Sequence, residues 1–592
     1  MTSIDPQKYY SNNLKDYNGQ SKDISKRLLL FSVLRAIVFV GTATGIYVCS
    51  HTPKTALIVA LIGVGIFLWL VKRYTNLKSK SRLVKTLIEI NEEELKISKK
   101  AFYHRKNGLE YLNSNHEYSL DIDLFGKGSF FQYINRTATK EGTDVLSNYL
   151  LSNDTSQIKE RQDAICELSS KQHWSQTFAA TAMQIQTDQS NQLILNWLKS
   201  YKPFLKGTIR LVPPLFSLIS VALIAIAIYG LISVEVIGYW LLVGLAITGI
   251  YLKRINTLSF NTSKAIETFK QYGSLLEHIE NQTFDSILLK SQQQQLIKES
   301  KKASEIIKLF SRRLDALDNR NNLISAILGN GYLLWDIMQS YQIEKWITTH
   351  GHRVEHWFNT VSIFDAYNTL GTYAFNHPKY TFPKILNTDH VIEAKDLGHP
   401  LLDEADRISS DLVISKRQFF IVTGANMAGK STFLRTVSLH IIMANMGLPV
   451  CAKESNYSPT KLITSMRTDD SLDEGSSYFF SELKRLKYII DHIEDSNYFV
   501  VLDEILKGTN STDKAIGSRK FVERLIESGA TGIIATHDLS LCKIETDFEA
   551  VENYFFDAEI VEDELYFDYK LKKGICQNMN ASFLLKKLNI IK

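Results

Sequence analysis

Residues 418 to 432 read QFFIVTGANMAGKST, an apolar run that breaks into a glycine-containing turn and continues into Phe433-Leu434-Arg435. From Gly424 to Ser431 the turn fits the phosphate-binding pattern G-x-x-x-x-G-K-[ST] without a gap. The spacing has a physical reason. Gly424 and Gly429 let the backbone curl so that the successive N–H groups of Ala425, Asn426, Met427 and Ala428 face a nucleotide's phosphates. Lys430 adds a point charge, the Ser431 hydroxyl can ligate Mg²⁺, and a helix opening through Thr432 presents the positive end of its dipole. An ordinary strand-turn-helix corner is the competing reading; the strand-like run before the turn and the helical pattern after it favour ATP binding.

Two further strands point into the same crevice. Tyr498-Phe-Val-Val-Leu502 is an apolar run of the kind a buried parallel strand shows, and it ends in Asp503-Glu504. An ATPase needs two carboxylates there: Asp503 to hold the Mg²⁺ shell and Glu504 to orient or deprotonate the attacking water. Gly532-Ile-Ile-Ala-Thr536 delivers His537-Asp538 at its carboxyl end, beside the same crevice if the sheet is parallel. A lone histidine is more often structural, but this position makes His537 a candidate for contact with the γ-phosphate through a water.

The residues between these landmarks narrow the class. Asp470-Ser-Leu-Asp-Glu-Gly-Ser-Ser-Tyr-Phe-Phe-Ser-Glu482 and Asp503-Glu-Ile-Leu-Lys-Gly-Thr-Asn-Ser-Thr-Asp513 resemble the MutS family of mismatch-repair ATPases. The loop G-A-N-M-A-G-K-S-T is similar to that family's G-P-N-M-G-G-K-S-T, with Ala425 and Ala428 as departures. Tyr569-Lys-Leu-Lys-Lys-Gly574, Cys576-Gln-Asn-Met-Asn-Ala-Ser582 and the dipeptide His399-Pro400 extend the likeness over most of 390 to 590. More weakly, residues 124 to 142, Leu150-Leu151 and 161 to 168 resemble the start of the family's helical core, with Asn135-Arg136-Thr137 and Gly142 the most recognisable part. The resemblance implies a homodimer in which two ATPase domains face each other, with Gly475 and Ser477 reaching the partner's γ-phosphate, and an α/β P-loop domain of the ABC type preceded by an all-α lever region. For residues 124 to 168 it implies a mechanical role.

Composition bounds the rest. A chain of 592 residues, 45% hydrophobic, allows several domains with large cores. Five cysteines, at 49, 166, 451, 542 and 576, without C-x-x-C pairing, suggest a reducing compartment with no disulfide framework or zinc site. A formal charge of +5 is small for this size and does not by itself argue for nucleic acid.

The strongest departure from the resemblance is membrane-like. Residues 28 to 50 and 55 to 71 are apolar runs joined by His51-Thr-Pro-Lys54, and a second pair, 211 to 232 and 236 to 252, is joined through Glu235. Each approaches the ~20 residues that cross a ~30 Å hydrocarbon core. Lys22, Lys26 and Arg27 precede the first hairpin, and Lys72, Arg73, Lys78, Lys80, Arg82 and Lys85 follow it. Lys202, Lys206 and Arg210 precede the second, and Lys253-Arg254 follow. The positive-inside rule then puts all four flanks, and the ATPase, in the cytoplasm, making the chain a multi-pass protein of the cytoplasmic membrane. Arg35, inside the first run, is placed to snorkel toward headgroups.

The expected organisation is therefore a polar tail over 1–27, a transmembrane hairpin over 28–73, a linker helix over 74–115, a helical core over 116–385 interrupted by the second hairpin at 211–252, and the ATPase domain over 386–592. Residues 260 to 345 read as long polar helices, and the aromatic and aliphatic residues from Val354 to Ala374 as core packing. Family members that read mismatches carry an N-terminal domain with a Phe-x-Glu wedge; residues 1–115 offer no place for one, nor is a helix-turn-helix expected after the closing segment. The expected function is a membrane-anchored, MutS-like, Mg²⁺-dependent ATPase that moves helical levers and holds DNA by its backbone rather than reading mismatches. Alternatives are a transporter ATPase, against which stands the lack of an L-S-G-G-Q signature, and a scaffold whose ATPase gates assembly of a protein partner.

Overall fold

The computed structural model describes residues 5–184, 191–263, 265–298, 301–467, 478–493, 497–507, 509–561 and 564–577. The C-terminal part is built on a six-stranded sheet in the order Lys572–Lys573, Val551–Phe556, Phe419–Gly424, Thr531–Ala535, Tyr498–Asp503 and Lys461–Ser465. Five of these strands are parallel, and only the Lys572–Lys573 edge is antiparallel. Parallel strands covered on both faces read as unbroken apolar runs, which is why Phe419–Gly424 and Thr531–Ala535 are buried throughout. Alternate residues serve opposite faces. Phe420 and Val422 join Leu434 and Val437 of the helix Lys430–Met446, while Phe419 and Ile421 join Leu486, Ile489, Val522 and Leu525 of the helices Tyr478–Ile493 and Ser511–Glu527. A four-stranded sheet, Lys384–Ile385, Glu454–Tyr457, His390–Leu397 and Ser410–Ser415, flanks this layer.

The preceding region is helical. Its centre is Val354–Asn376, buried along most of its length, with Trp357, Phe364 and Tyr367 in the core, and it packs on Lys140–Leu151 and Ile158–Ser170. Asn135-Arg136-Thr137 and Gly142 find their place here. Buried Asp365 accepts hydrogen bonds from the Ala138 and Thr139 N–H groups and the Thr139 hydroxyl, and a Cβ on Gly142 would run into its carboxylate.

Two long helices, Pro6–Val48 and Pro53–Ile97, form the first hairpin. Residues 1–27 are thus not merely a polar tail: from Pro6 they are helix, and Tyr10, Tyr17 and Ile24, seven residues apart, are its buried positions. Tyr17 and Ile24 pack with Val84, Leu87 and Ala180. One apolar residue per two turns is a narrow coiled-coil-like seam, too sparse to stand out in a polar sequence. The expected linker helix over 74–115 is also corrected. It ends at Ile97, because Lys100, Gly108, Gly126 and Gly128 take positive φ and turn the chain through a largely irregular stretch. Arg35 lies with its guanidinium 3.8 Å from the centre of the Tyr74 ring, beyond the end of the second apolar run.

The second hairpin comprises Val212–Ile228 and Val234–Ser263. By length and composition, four helices among the described residues are long and apolar enough to cross a bilayer, and they include both arms of each hairpin. Their large apolar side chains, Leu29, Phe39, Leu61, Leu218 and Leu242 among them, face outward. The reading of 260–345 as polar helices fails at one place: Leu323–Leu333 is a short apolar helix against the second hairpin.

Candidate functional site

The strands carrying the three sequence landmarks lie side by side, with the His537 strand between the other two. Ala535 is in register with Val422 on one side and Asp503 on the other, so their carboxyl ends open on one crevice. Gly424 has φ 150° and Gly429 φ 107°, and a Cβ on Gly424 would stand 2.7 Å from the Phe556 carbonyl. Glycine is required at both positions. Gly429 caps the helix Lys430–Met446, whose first turn begins at the loop.

Side chains then converge. Lys430 Nζ donates to the carbonyls of Gly424 (2.8 Å) and Ala425 (3.0 Å), which centres the ammonium inside the loop. Burial pulls its pKa below the ordinary lysine value. The Ser431 hydroxyl donates to Asp503 Oδ2 at 2.7 Å, and burial raises the Asp503 carboxyl above its ordinary value. His537 Nε2 lies 2.8 Å from Glu504 Oε1 and 3.2 Å from Lys430 Nζ. One nitrogen cannot donate to the first while accepting from the second; the shorter contact, to a carboxylate, is the hydrogen bond. That bond holds the Glu504 carboxyl down to about 2 against the opposing effect of burial. Glu504 is therefore a carboxylate at neutral pH, able to accept a proton or a hydrogen bond.

The chain after Asp503 is held in an unusual shape. Glu504 has φ 50° and Leu506 φ 59°, both left-handed, in residues that carry side chains. The Glu504 N–H donates to the Ala535 carbonyl at 2.9 Å. Glu482, buried in the helix Tyr478–Ile493, accepts from the N–H groups of Leu506 (2.5 Å) and Lys507 (3.1 Å). Lys507 Nζ stands 3.9 Å from the other Glu504 oxygen. Sequence reading did not single out Glu482 or Lys507, although both lie in the quoted motifs.

A cleft of about 610 Å³ opens on this cluster, and Leu402, Ile408, Phe556, Tyr569 and His399 line it too. Burial holds the His399 imidazole down to about 4, so at neutral pH it is an uncharged ring. Charged groups and neutral rings lining one cleft suit a nucleoside triphosphate. The oxygen donors Ser431 and Asp503 also suit Mg²⁺: a hydroxyl and a carboxylate at hydrogen-bond distance beside the phosphate loop are the hard ligands that ion takes.

Residues 420–586 match the family model described as MutS domain V. This stretch is similar to the MutS family. It is 32% identical to "MutS protein homolog 4" of Homo sapiens over 246 residues, 40% of this chain and 26% of that protein. It is 30% identical to the "DNA mismatch repair protein MutS" of Clostridium tetani over 226 residues, 36% of this chain and 25% of that one, and 31% identical to the protein of that name in Finegoldia magna over 240 residues, 39% and 28% respectively. The matched stretch thus spans about a quarter of the length of these MutS proteins. Within the MutS domain, the loop from Gly424 to Thr432, Asp503, Glu504 and His537 line or border a single cleft. Gly475 and Ser477, expected to act across a dimer, lie outside the described residues.

Proposed function

We propose that the chain is a membrane-held ATPase that uses ATP binding and hydrolysis in paired MutS-type domains to move its helical core. The observation that carries this reading is the convergence of Lys430, the Ser431–Asp503 pair and the Glu504–His537 pair at the ends of three adjacent parallel strands. The loop N–H groups and Lys430 bind the phosphates; Glu504, held by His537 and Lys507, accepts a hydrogen bond from the attacking water and takes its proton. A Mg²⁺ ion held by Ser431 and Asp503 would offset phosphate charge. The test is nucleotide binding: Lys430→Ala should weaken ATP affinity at least tenfold, since it removes a charged contact worth about 1.5–3 kcal/mol, and unchanged affinity would exclude the loop as the phosphate site.

The membrane reading rests on the two hairpins, whose outward faces are apolar and whose ends are basic. Only the turns near 49–52 and 229–233 would then leave the cytoplasmic side. The names of the two bacterial relatives place them in DNA mismatch repair, and DNA is the ligand proposed for this chain, held through backbone phosphates without strong preference for a mismatch. Mobility shifts with matched, mismatched and branched duplexes test this. Binding should fall steeply with salt and vary little among the duplexes; a strong mismatch preference would overturn it.

A further inference from the structure

The second hairpin has a companion. Between the helices Ala303–Asp318 and Trp335–His350 the chain forms Leu323–Leu333, LISAILGNGYL. The Asn322 side chain accepts from the Ile324 and Ser325 N–H groups at its start, and Leu334, with φ 48°, ends it. One side is fixed to the hairpin through backbone-level contact. A Cβ on Gly244 would stand 2.3 Å from the Gly331 carbonyl oxygen, and one on Gly331 would stand 2.6 Å from the Leu241 side chain. Buried Ser220 donates to the Tyr332 carbonyl at 2.7 Å while accepting from Trp240 Nε1 at 2.8 Å. Small residues and bridging hydroxyls are how helices approach where no water drives them together.

The other side faces outward. Leu323 and Ile324 are 73% and 70% exposed, with Leu328 at 50% and Ile327 at 38%. Their spacing of one, four and five residues puts them on one face. The hairpin helices on which this helix packs carry outward apolar residues of their own, such as Leu215, Leu218 and Leu242. The helix has 11 residues, about half the ~20 needed to cross a bilayer. Its two ends are also tied at one polar level: Arg320, before it, pairs with Asp336, after it, at 3.1 Å. A segment that enters and leaves at the same level lies in a surface instead of passing through it. Exposed Arg312, Lys253 and Arg254 on the neighbouring helices would meet lipid headgroups, anionic ones above all.

We infer that Leu323–Leu333 is a membrane-seated element, lying in the cytoplasmic face of the bilayer with Leu323, Ile324, Ile327 and Leu328 among the acyl chains. The inference rests on the reading of the second hairpin as membrane-spanning. It seats Ala303–Asp318 and Trp335–His350 on the lipid surface, so a nucleotide-driven shift of these helices acts on, or is resisted by, the bilayer.

The full chain in vesicles of phosphatidylcholine and phosphatidylglycerol provides the test. In a background with Cys49→Ser and Cys166→Ser, single reporter cysteines Ile324→Cys, Leu328→Cys, Leu218→Cys and Lys290→Cys carry an environment-sensitive fluorophore, and lipids bear nitroxides at shallow or deep acyl positions. Ile324→Cys and Leu328→Cys should lose emission mainly to the shallow nitroxide, Leu218→Cys should be quenched from within the bilayer, and Lys290→Cys should be unaffected. Quenching of Leu218→Cys alone would overturn the seated helix and leave the hairpin in place. Blue-shifted but unquenched emission at Ile324→Cys, the mark of a second copy or other protein covering the face, would overturn it too. Loss of quenching at Leu218→Cys as well would remove the membrane reading itself.

Discussion

Glu482 shows what a single buried side chain does for the site. Its carboxylate spans two N–H donors in a segment where Glu504 and Leu506 hold left-handed backbone, a conformation that costs of order 1–3 kcal/mol per residue unless something else fixes it. Glu482→Gln leaves one acceptor oxygen where two served. Losing one such bond, about 1–3 kcal/mol, should lower kcat roughly tenfold or more by letting Glu504 drift, while the KM for ATP changes much less. Steady-state kinetics separate the two, and an unchanged kcat with a raised KM would place Glu482 at nucleotide binding instead. The loop from Gly424 to Thr432, with Asp503, Glu504 and His537, was legible in the sequence because its chemistry is fixed by short spacings. Glu482 was not, because its partners lie more than twenty residues away and only the fold brings its helix against them.

The first hairpin reaches from its turn between Val48 and Pro53 to the wall of the nucleotide cleft. The end of Pro53–Ile97 is locked to the helical core by Arg136, whose Nε and Nη2 donate to Glu94 at 2.5 and 3.2 Å, and Asn376 adds a bond to the same carboxylate at 2.8 Å. Just past it, Lys100 Nζ donates at 3.0 Å to the carbonyl of Pro400, next to His399 of the cleft wall. Both partners of the Glu94–Arg136 pair are nearly buried, so removing one strands the other charge. Arg136→Ala should destabilise the protein by about 3–5 kcal/mol in thermal unfolding, and Arg136→Lys should recover only part of that because it cannot make the two-pronged contact. A loss below 1 kcal/mol would contradict the role given to this pair. The helix Pro6–Val48 escaped sequence reading below residue 28 because its seam has one residue in seven, and Leu323–Leu333 because its apolar run is half a span long.

Across the whole molecule, buried histidines set the acid limit. Burial holds His377 down to about 3 and His399 and His440 down to about 4, against an ordinary value near 6.5. A depressed histidine pKa favours the neutral ring in the folded state; the stability this gives is full above pH 6.5 and is lost as pH falls through 4 to 3. Detergent-solubilised protein should therefore show a falling Tm between pH 7 and pH 5, and His440→Asn should flatten the fall. A Tm that rises over that interval would contradict these burial assignments. The α/β architecture was readable from three apolar runs and their polar ends, and the hairpins from length and flanking charge. The irregular stretch after Ile97 was not readable, since its path depends on contacts with residues hundreds of positions away.

In the proposed mechanism Glu504, oriented by His537 beside the phosphate loop, activates the water that hydrolyses ATP. Glu504→Gln keeps the shape and removes the base. With the purified full chain, Mg²⁺ and radiolabelled ATP, filter binding and phosphate release on the same sample separate nucleotide binding from turnover. The variant should retain ATP with near wild-type affinity while phosphate release falls by about 10²–10⁴-fold, the usual contribution of a positioned general base. Turnover at the wild-type rate by Glu504→Gln would remove Glu504 from the role of base.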